Sequence, residues 1–388
     1  MITELNAPSR ANGASKIKSP ALARTTLERS KVVGRSQEWC ISLRSKNCDE
    51  LSIFDNFPPA GRSVAGQMVF GDCAYYEAAR ARMNGADWPV LWVQGDVGTG
   101  KHITGVQTFT IAGQSPRRIL RANRVVGSTW SDKDADYCLL AGILPAQLSG
   151  GRGVQTQSCF EEIEASLHQA GLDFSHVVRT WLYLDDLLGW YDEFNAARTE
   201  FFQSRGVLGG LVPASTGIGA CNPAGAPLVA GALAIRPRLN AVHIQEVVSP
   251  FQCSATAYRS SFSRAVEIAY PNHWLLTVSG TASIAPGGKS LHGGDVEKQI
   301  ELTLDVVGAI LESRGMNWRN ATRAIAYFRN IGALPLFESC CNARGIAALP
   351  CVPVQATVCR SDLLFELELD AVLARGRQLM ADVEPHSK

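Results

Sequence analysis

The sequence predicts an α+β protein of two tandem units, each a mixed sheet backed by helices on one face. Three observations predict it: a long internal repeat, a helix-to-strand change of hydrophobic period within each copy, and Pro-bounded β-like runs that close each copy. The repeat pairs QTQSCFEEIEASLHQAGLDFSHVVRTWLYL, from Gln155, with QIELTLDVVGAILESRGMNWRNATRAIAYF, from Gln299, at a constant offset of 144 residues. Leu167 thereby meets Leu311, Gly171 meets Gly315, Phe174 meets Trp318, Arg179 meets Arg323 and Tyr183 meets Tyr327.

Each copy opens as an amphipathic helix, with Phe160, Ile163 and Leu167 in the first and Leu304, Val307 and Leu311 in the second. A glycine then stands where a helix C-terminus favours one. A polar turn leads into a β-like run, VVRTWLYL or ATRAIAYF. A second helix is predicted over GWYDEFNAARTEFFQSRG, and a shorter one after the second run. The closing strands run from VPAST to LVAGALAI and from LPCVPVQATVCR to LLFELELDA. The domains expected are a mobile Ser-, Ala-, Arg- and Lys-rich tail over 1–60, a first unit over 61–240 and a second over 241–388. The acid-poor tail also resembles an organelle transit peptide, but a solvated extension is the simpler reading.

Composition narrows the function classes. The 388 residues are 46% hydrophobic and 19% charged with a formal net charge of +1, which points away from nucleic-acid and membrane-surface partners. No apolar run reaches the roughly 18 to 20 residues that span a bilayer. The N-terminus lacks the apolar core of a secretory signal, so a cytoplasmic protein is expected. Eleven cysteines without C-x-x-C spacing read as reduced thiols rather than disulfides or a zinc site, and no metal or cofactor is expected.

GDVGTGKH, residues 95–102, lies one substitution from a phosphate-binding loop. His102 stands where such a loop needs a metal-ligating hydroxyl, and the following HITGVQTFTIAG reads as a strand rather than a helix. A glycine-rich hairpin turn between WPVLWVQGD and that strand is the expectation.

The two closing strands differ in a way that suggests one active site per chain. In LLFELELDA, alternation puts Leu363, Phe365, Leu367 and Leu369 on one face and Leu364, Glu366, Glu368 and Asp370 on the other. The matching face of LVAGALAI carries small apolar groups. The acidic face is either a solvated sheet surface or a set of carboxylates about 7 Å apart. Burial and mutual repulsion would keep one of those protonated near neutrality, as a general acid requires. Cys359, seven residues before Glu366, falls on the opposite face of an unbroken strand. It joins Glu366 only if Arg360–Ser361–Asp362 bends. For an anionic substrate the candidate cations are Arg179, Arg198 and Arg264, with Arg259 and Arg360 weaker. Arg264 and Tyr258 belong to a Ser-rich aromatic segment, SATAYRSSFSRA, that reads as a donor-lined loop.

Five segments in order then carry a resemblance: VVRTWLYLDDLLGWYDEFNAARTEFF, VPASTGIGA, SPFQCSATAYRSSFSRAVE, VSGTASIAPGGKSLHGGD and VCRSDLLFELELDA. Together, from about Trp88 to Ala371, they resemble the chorismatase family, chorismate-cleaving enzymes on a Rid (YjgF-like) fold. The resemblance implies release of pyruvate from chorismate, with 3-hydroxybenzoate, a 3-/4-hydroxybenzoate mixture or a dihydroxycyclohexadiene carboxylate as ring product. It implies Glu366 as catalytic acid, Cys359 as the residue favouring the hydroxybenzoate outcome, and Thr281 and Ala282 of SGTAS at the substrate. Rid domains associate as trimers, so a homotrimer or an internal pseudo-trimer is expected. The alternatives are a Rid-type imine or enamine deaminase and a non-catalytic small-ligand binder. The deaminases resemble one another in an arginine soon after a proline of the closing strands; here those places read Pro213–Ala214–Ser215 and Pro350–Cys351–Val352.

Overall fold

The computed structural model describes residues 27–29, 37–43, 50–55, 61–83, 85–95, 103–238, 242–255, 260–346 and 349–375. They form three sheets: the two similar six-stranded units expected and a five-stranded sheet ahead of them.

The first sheet comprises β1 (Leu27–Arg29), β2 (Gln37–Leu43), β3 (Arg62–Gly71), β4 (Val90–Val93) and β5 (Ile103–Ala112), with helix α1 (Tyr76–Arg82) between β3 and β4. The second has β6 (Arg117–Arg121), β7 (Arg124–Ser131) and β8 (Ala135–Ile143), then α2 (Arg152–Gln169), β9 (Val177–Leu184), α3 (Leu187–Ser204), β10 (Ala214–Gly219) and β11 (Leu228–Pro237). The third repeats it with β12 (His243–Val247), β13 (Ala265–Tyr270), β14 (His273–Ala282), α4 (Val296–Glu312), β15 (Ala321–Phe328), α5 (Leu334–Ala343), β16 (Cys351–Gln355) and β17 (Phe365–Ala374).

One connectivity runs through all three. The orders are β1-β2-β5-β3-β4, β6-β7-β8-β11-β9-β10 and β12-β13-β14-β17-β15-β16. In each, the last strand inserts antiparallel beside the strand that precedes the crossover helix. The strand after that helix pairs parallel: β3 with β4, β9 with β10, β15 with β16. The first sheet has no counterpart of α2 and α4; among the described residues only the 3-10 turn Glu50–Phe54 lies between β2 and β3.

Two expectations are corrected here. The segment 1–60 contributes two paired strands, and 61–240 is spread over two sheets. Among its described residues, the five-stranded sheet lacks the long amphipathic helix that made the other two units recognisable as repeats. The runs around 90 and 103 are strands, as expected, but not a hairpin: β3 lies between β4 and β5 and pairs with both. Residues 96–102 of the glycine-rich motif lie outside the described residues.

The repeated helices end as their glycines predict. Gly171 and Gly315 take φ of +72° and +66°, the left-handed conformation that closes a helix. The N–H groups of Leu172 and Met316 then donate back to the carbonyls of Leu167 and Leu311, each at 3.0 Å. Asp173 and Asn317 cap the next turn in both copies.

Each sheet packs its own helices on one face, giving three outer cores. The other faces meet in a central core that draws Phe70, Tyr183 and Tyr327, one from each sheet. This is why the acidic face of β17 is not solvated: it points to the middle of the molecule. Among the described residues, no helix is long and apolar enough to cross a membrane.

Candidate active site

The second and third sheets are stitched together where β10, an edge strand of the second, meets β14 in the interior of the third. The Ser215 amide donates to Ser279 Oγ at 2.8 Å, and Ser279 Oγ donates to the Ser263 carbonyl at 2.5 Å. The Gly280 amide donates to Thr216 Oγ1 at 3.0 Å. Small polar residues let these backbones approach closely. Beside the seam opens a cavity of about 1360 Å³.

β17 delivers the central group. Its outward Phe365, Leu367 and Leu369 pack beneath α4, which turns Glu366, Glu368 and Asp370 inward. Glu366 sits opposite Ala282 of β14 and Tyr327 of β15 and reaches the cavity. A bulge between Val278 and Thr281 makes room for it. A Cβ at Gly280 would fall inside the contact surface of Glu366 Oε1 and lie 3.2 Å from Thr216 Cγ2, so any side chain there displaces the Glu366 carboxyl.

Glu366 is 4% exposed. Burial, with the neighbouring Glu368 charge second, pushes its carboxyl up to about 8, while Arg179 and Arg264 pull the other way. Among the described residues no hydrogen bond or ion pair reaches this carboxyl. Glu368, two residues on, is the opposite case. Its burial favours the neutral acid, but Arg179 and Arg323 hold it below the usual glutamate range.

Cys359 joins Glu366 at the cavity. The strand that starts at Cys351 stops at Gln355, and residues 359–362 turn before β17 begins. The Leu363 amide closes that turn on the Arg360 carbonyl at 3.2 Å. Burial first and Glu366 second push the Cys359 thiol up to about 12, so it is a neutral thiol near neutral pH.

Arg198 and Arg264 also line the cavity. Both are 2% exposed. Arg198 donates to Asn195 Oδ1 at 2.6 Å and lies over the rings of Phe194 and Phe262, at 5.2 and 5.9 Å. Arg264 donates Nε to the Cys253 carbonyl at 3.1 Å and lies 5.5 Å from the Phe262 ring. Ala282 and Arg360 line the cavity too; Arg360 donates to the Gly288 carbonyl at 2.7 Å.

Two expected contact residues are placed elsewhere. Arg179 is fully buried behind the site, donating to Glu368, Thr216 and the Val278 carbonyl, because its strand turns it to the central core. Thr281 is fully buried and donates its hydroxyl to the Ser279 carbonyl at 2.9 Å, on the strand side away from the cavity. Tyr258 and Arg259 lie outside the described residues.

Sequence reasoning missed Tyr191 and Phe262, which line the cavity, and the steric role of Gly280. Burial pushes the Tyr191 hydroxyl well above its ordinary range, with Cys359 and Glu366 adding to the effect and Arg198 opposing it. A signal was available: Tyr191, Asn195 and Arg198 fall at i, i+4 and i+7, one face of a helix.

Comparison with known proteins agrees with this architecture. The endoribonuclease L-PSP family model matches residues 135–222, from β8 into the segment after β10. A chorismatase of Streptomyces hygroscopicus is 25% identical over 294 residues, covering 68% of this chain and 82% of that protein. A 3-hydroxybenzoate synthase of the same organism is 27% identical over 262 residues, covering 61% of this chain and 74% of that protein. A crystal structure of a chorismatase superposes with a TM-score of 0.65 at 18% identity, over 87% of this chain and 98% of that one, and shares the fold. In sequence and in fold, the chain is thus similar to chorismatases over most of its length.

Proposed function

We propose that this protein cleaves chorismate to pyruvate and a hydroxybenzoate, 3-hydroxybenzoate foremost, with Glu366 as the proton donor. One observation carries the reading. A buried carboxyl that keeps its proton to about 8 faces a cavity lined by two buried arginines, at the junction of two sheets. The relatives named chorismatase and 3-hydroxybenzoate synthase supply the substrate class.

The chemistry follows from the groups. An enol ether is cleaved once its terminal carbon is protonated, and a carboxylic acid held neutral at working pH can supply that proton. Protonation leaves an oxocarbenium-like cation flanked by the new Glu366 carboxylate. If water captures the cation, pyruvate and a dihydroxycyclohexadiene carboxylate result, and one water is consumed. If the neighbouring ring hydroxyl displaces pyruvate instead, an arene-oxide-like intermediate forms. Its opening and the loss of a ring proton give the aromatic product, with no net water consumed. Cys359, a neutral thiol at the cavity wall, favours the second route by occupying space beside the ring that water would take. Arg198 and Arg264 are the groups that hold the two substrate carboxylates.

The test is incubation of the purified chain with chorismate, with pyruvate followed by a coupled dehydrogenase and the ring product resolved by chromatography. Pyruvate release with a hydroxybenzoate is expected; no pyruvate release would overturn the reading.

A further inference from the structure

Two carboxylates on one face of β17 have opposite surroundings. Glu366 opens to the cavity and, among the described residues, takes no hydrogen bond or ion pair. Glu368 is fully buried and saturated. Its Oε2 accepts from Arg179 at 2.8 Å, and its Oε1 accepts from Trp181 Nε1 at 3.0 Å and from Arg323. Arg323 is held in turn by Asp370 Oδ2 at 3.1 Å and by Gln107 Oε1 at 2.9 Å. Arg179 comes from the second sheet, Arg323 from the third and Gln107 from the first. All three units therefore converge to fix one anion.

We propose that Glu368 is the positioning residue of the acid: its charge, locked two residues from Glu366 by Arg179 and Arg323, keeps the Glu366 carboxyl in the protonated form that the reaction uses. This rests on the reading of Glu366 as proton donor. The ion cluster never touches the cavity, so its energetic influence on substrate is indirect. Its geometry nevertheless places a permanent negative charge about 7 Å along the strand from the acid, in a medium that screens poorly. Ionising Glu366 would set two anions side by side with both guanidinium groups already turned to Glu368. Among the described residues, the other titratable and charged groups around Glu366 include Arg264 ahead of β13, Cys359 on the turn before β17 and Tyr191 on α3, with Arg198 and Arg360 on the same cavity wall. The surroundings act in the same sense: burial first and Glu368 second favour the protonated acid, against Arg179 and Arg264.

The experiment is the pH dependence of kcat/KM for chorismate in Glu368→Gln and Glu368→Asp, with circular dichroism to establish the fold. In Glu368→Gln the alkaline limb moves down by about one pH unit, roughly a tenfold loss of rate above the limb. In Glu368→Asp, which keeps the charge, the limb stays near that of the wild type. An unmoved limb in folded Glu368→Gln, or equal shifts in the two variants, overturns the proposal. If Glu368→Gln does not fold, Glu368→Gln/Arg323→Met restores a neutral cluster of Arg179 and Asp370 and replaces the pair as a unit. Its limb is also expected below that of the wild type, and a wild-type limb there is equally fatal. The Glu366 titration is read separately, without turnover, from carboxyl-¹³C glutamate spectra assigned by Glu366→Gln. If no variant releases pyruvate, the proposed function fails. A lower Glu366 titration in the Glu368→Gln spectrum still supports the effect of the Glu368 charge, and an unchanged one sinks it.

Discussion

Tyr183 and Tyr327 occupy the same place in the two long repeats, 144 residues apart, and their hydroxyls share a hydrogen bond of 2.8 Å. Equivalent residues of a repeated unit thus meet hydroxyl to hydroxyl, with the Phe70 ring of the first sheet 6.2 Å from the Tyr183 ring. The bond is buried in the central core, so either tyrosine changed singly to phenylalanine leaves an unpaired hydroxyl. Tyr327→Phe and Tyr183→Phe are each expected to cost about 1–3 kcal/mol, and the double variant less than their sum. Urea denaturation of the double-mutant cycle reads this.

Glu366→Gln removes the acid while keeping shape. Pyruvate release should fall to background, whereas chorismate affinity by calorimetry should stay within a few-fold of that of the wild type. Full activity in this variant would reject Glu366 as donor.

The same substitution has an opposite consequence for stability. Glu366 is raised from 4.5 to about 8 in the folded chain. Its contribution is therefore fully present below pH about 4.5 and is lost as pH rises through about 8, where the folded state must ionise a buried acid. Glu366→Gln escapes that loss. Its unfolding free energy should exceed that of the wild type near pH 8, by on the order of a few kcal/mol, and approach it near pH 5, as urea denaturation at the two pH values would read. Activity of the wild type should decline through the same alkaline range.

Gly280→Ala puts a methyl group where Glu366 Oε1 lies. The carboxyl must shift by about an ångström, and a misplacement of that size costs roughly a hundredfold in rate. The prediction is a collapse of kcat with chorismate binding retained, read by steady-state kinetics beside calorimetry.

Cys359→Ala should shift products towards the dihydroxycyclohexadiene carboxylate, because it opens space for water beside the ring. Chromatography of the ring products decides it; an unchanged ratio removes Cys359 from the partition step.

Much of this was legible in the chain itself. Period changes at Phe160–Leu167 and Leu304–Leu311 marked the helices, and strict alternation in LLFELELDA placed three acids on one face. What alternation left open was whether that face met water or a second sheet, because β17 is amphipathic towards its own helices in either case. Arg179 and Arg198 looked alike as sequence, yet one is absorbed by Glu368 and the other reaches the cavity. That difference depends on which sheet edge meets which, a long-range fact that local pattern does not encode. The five-stranded sheet escaped notice for a related reason: with no long helix among its described residues, its strands carry no repeat signature.

The three-sheet closure has a consequence for how such a site can arise. An oligomer of identical subunits must repeat every residue at each symmetry-related interface, so a costly buried acid placed there is multiplied. Joined in one polypeptide, the seams are free to diverge, and an unstable carboxyl at a single seam can be supported by neighbours that stay purely cohesive. β11, with its small apolar residues, and β17, with its acids, differ in the way that such freedom permits.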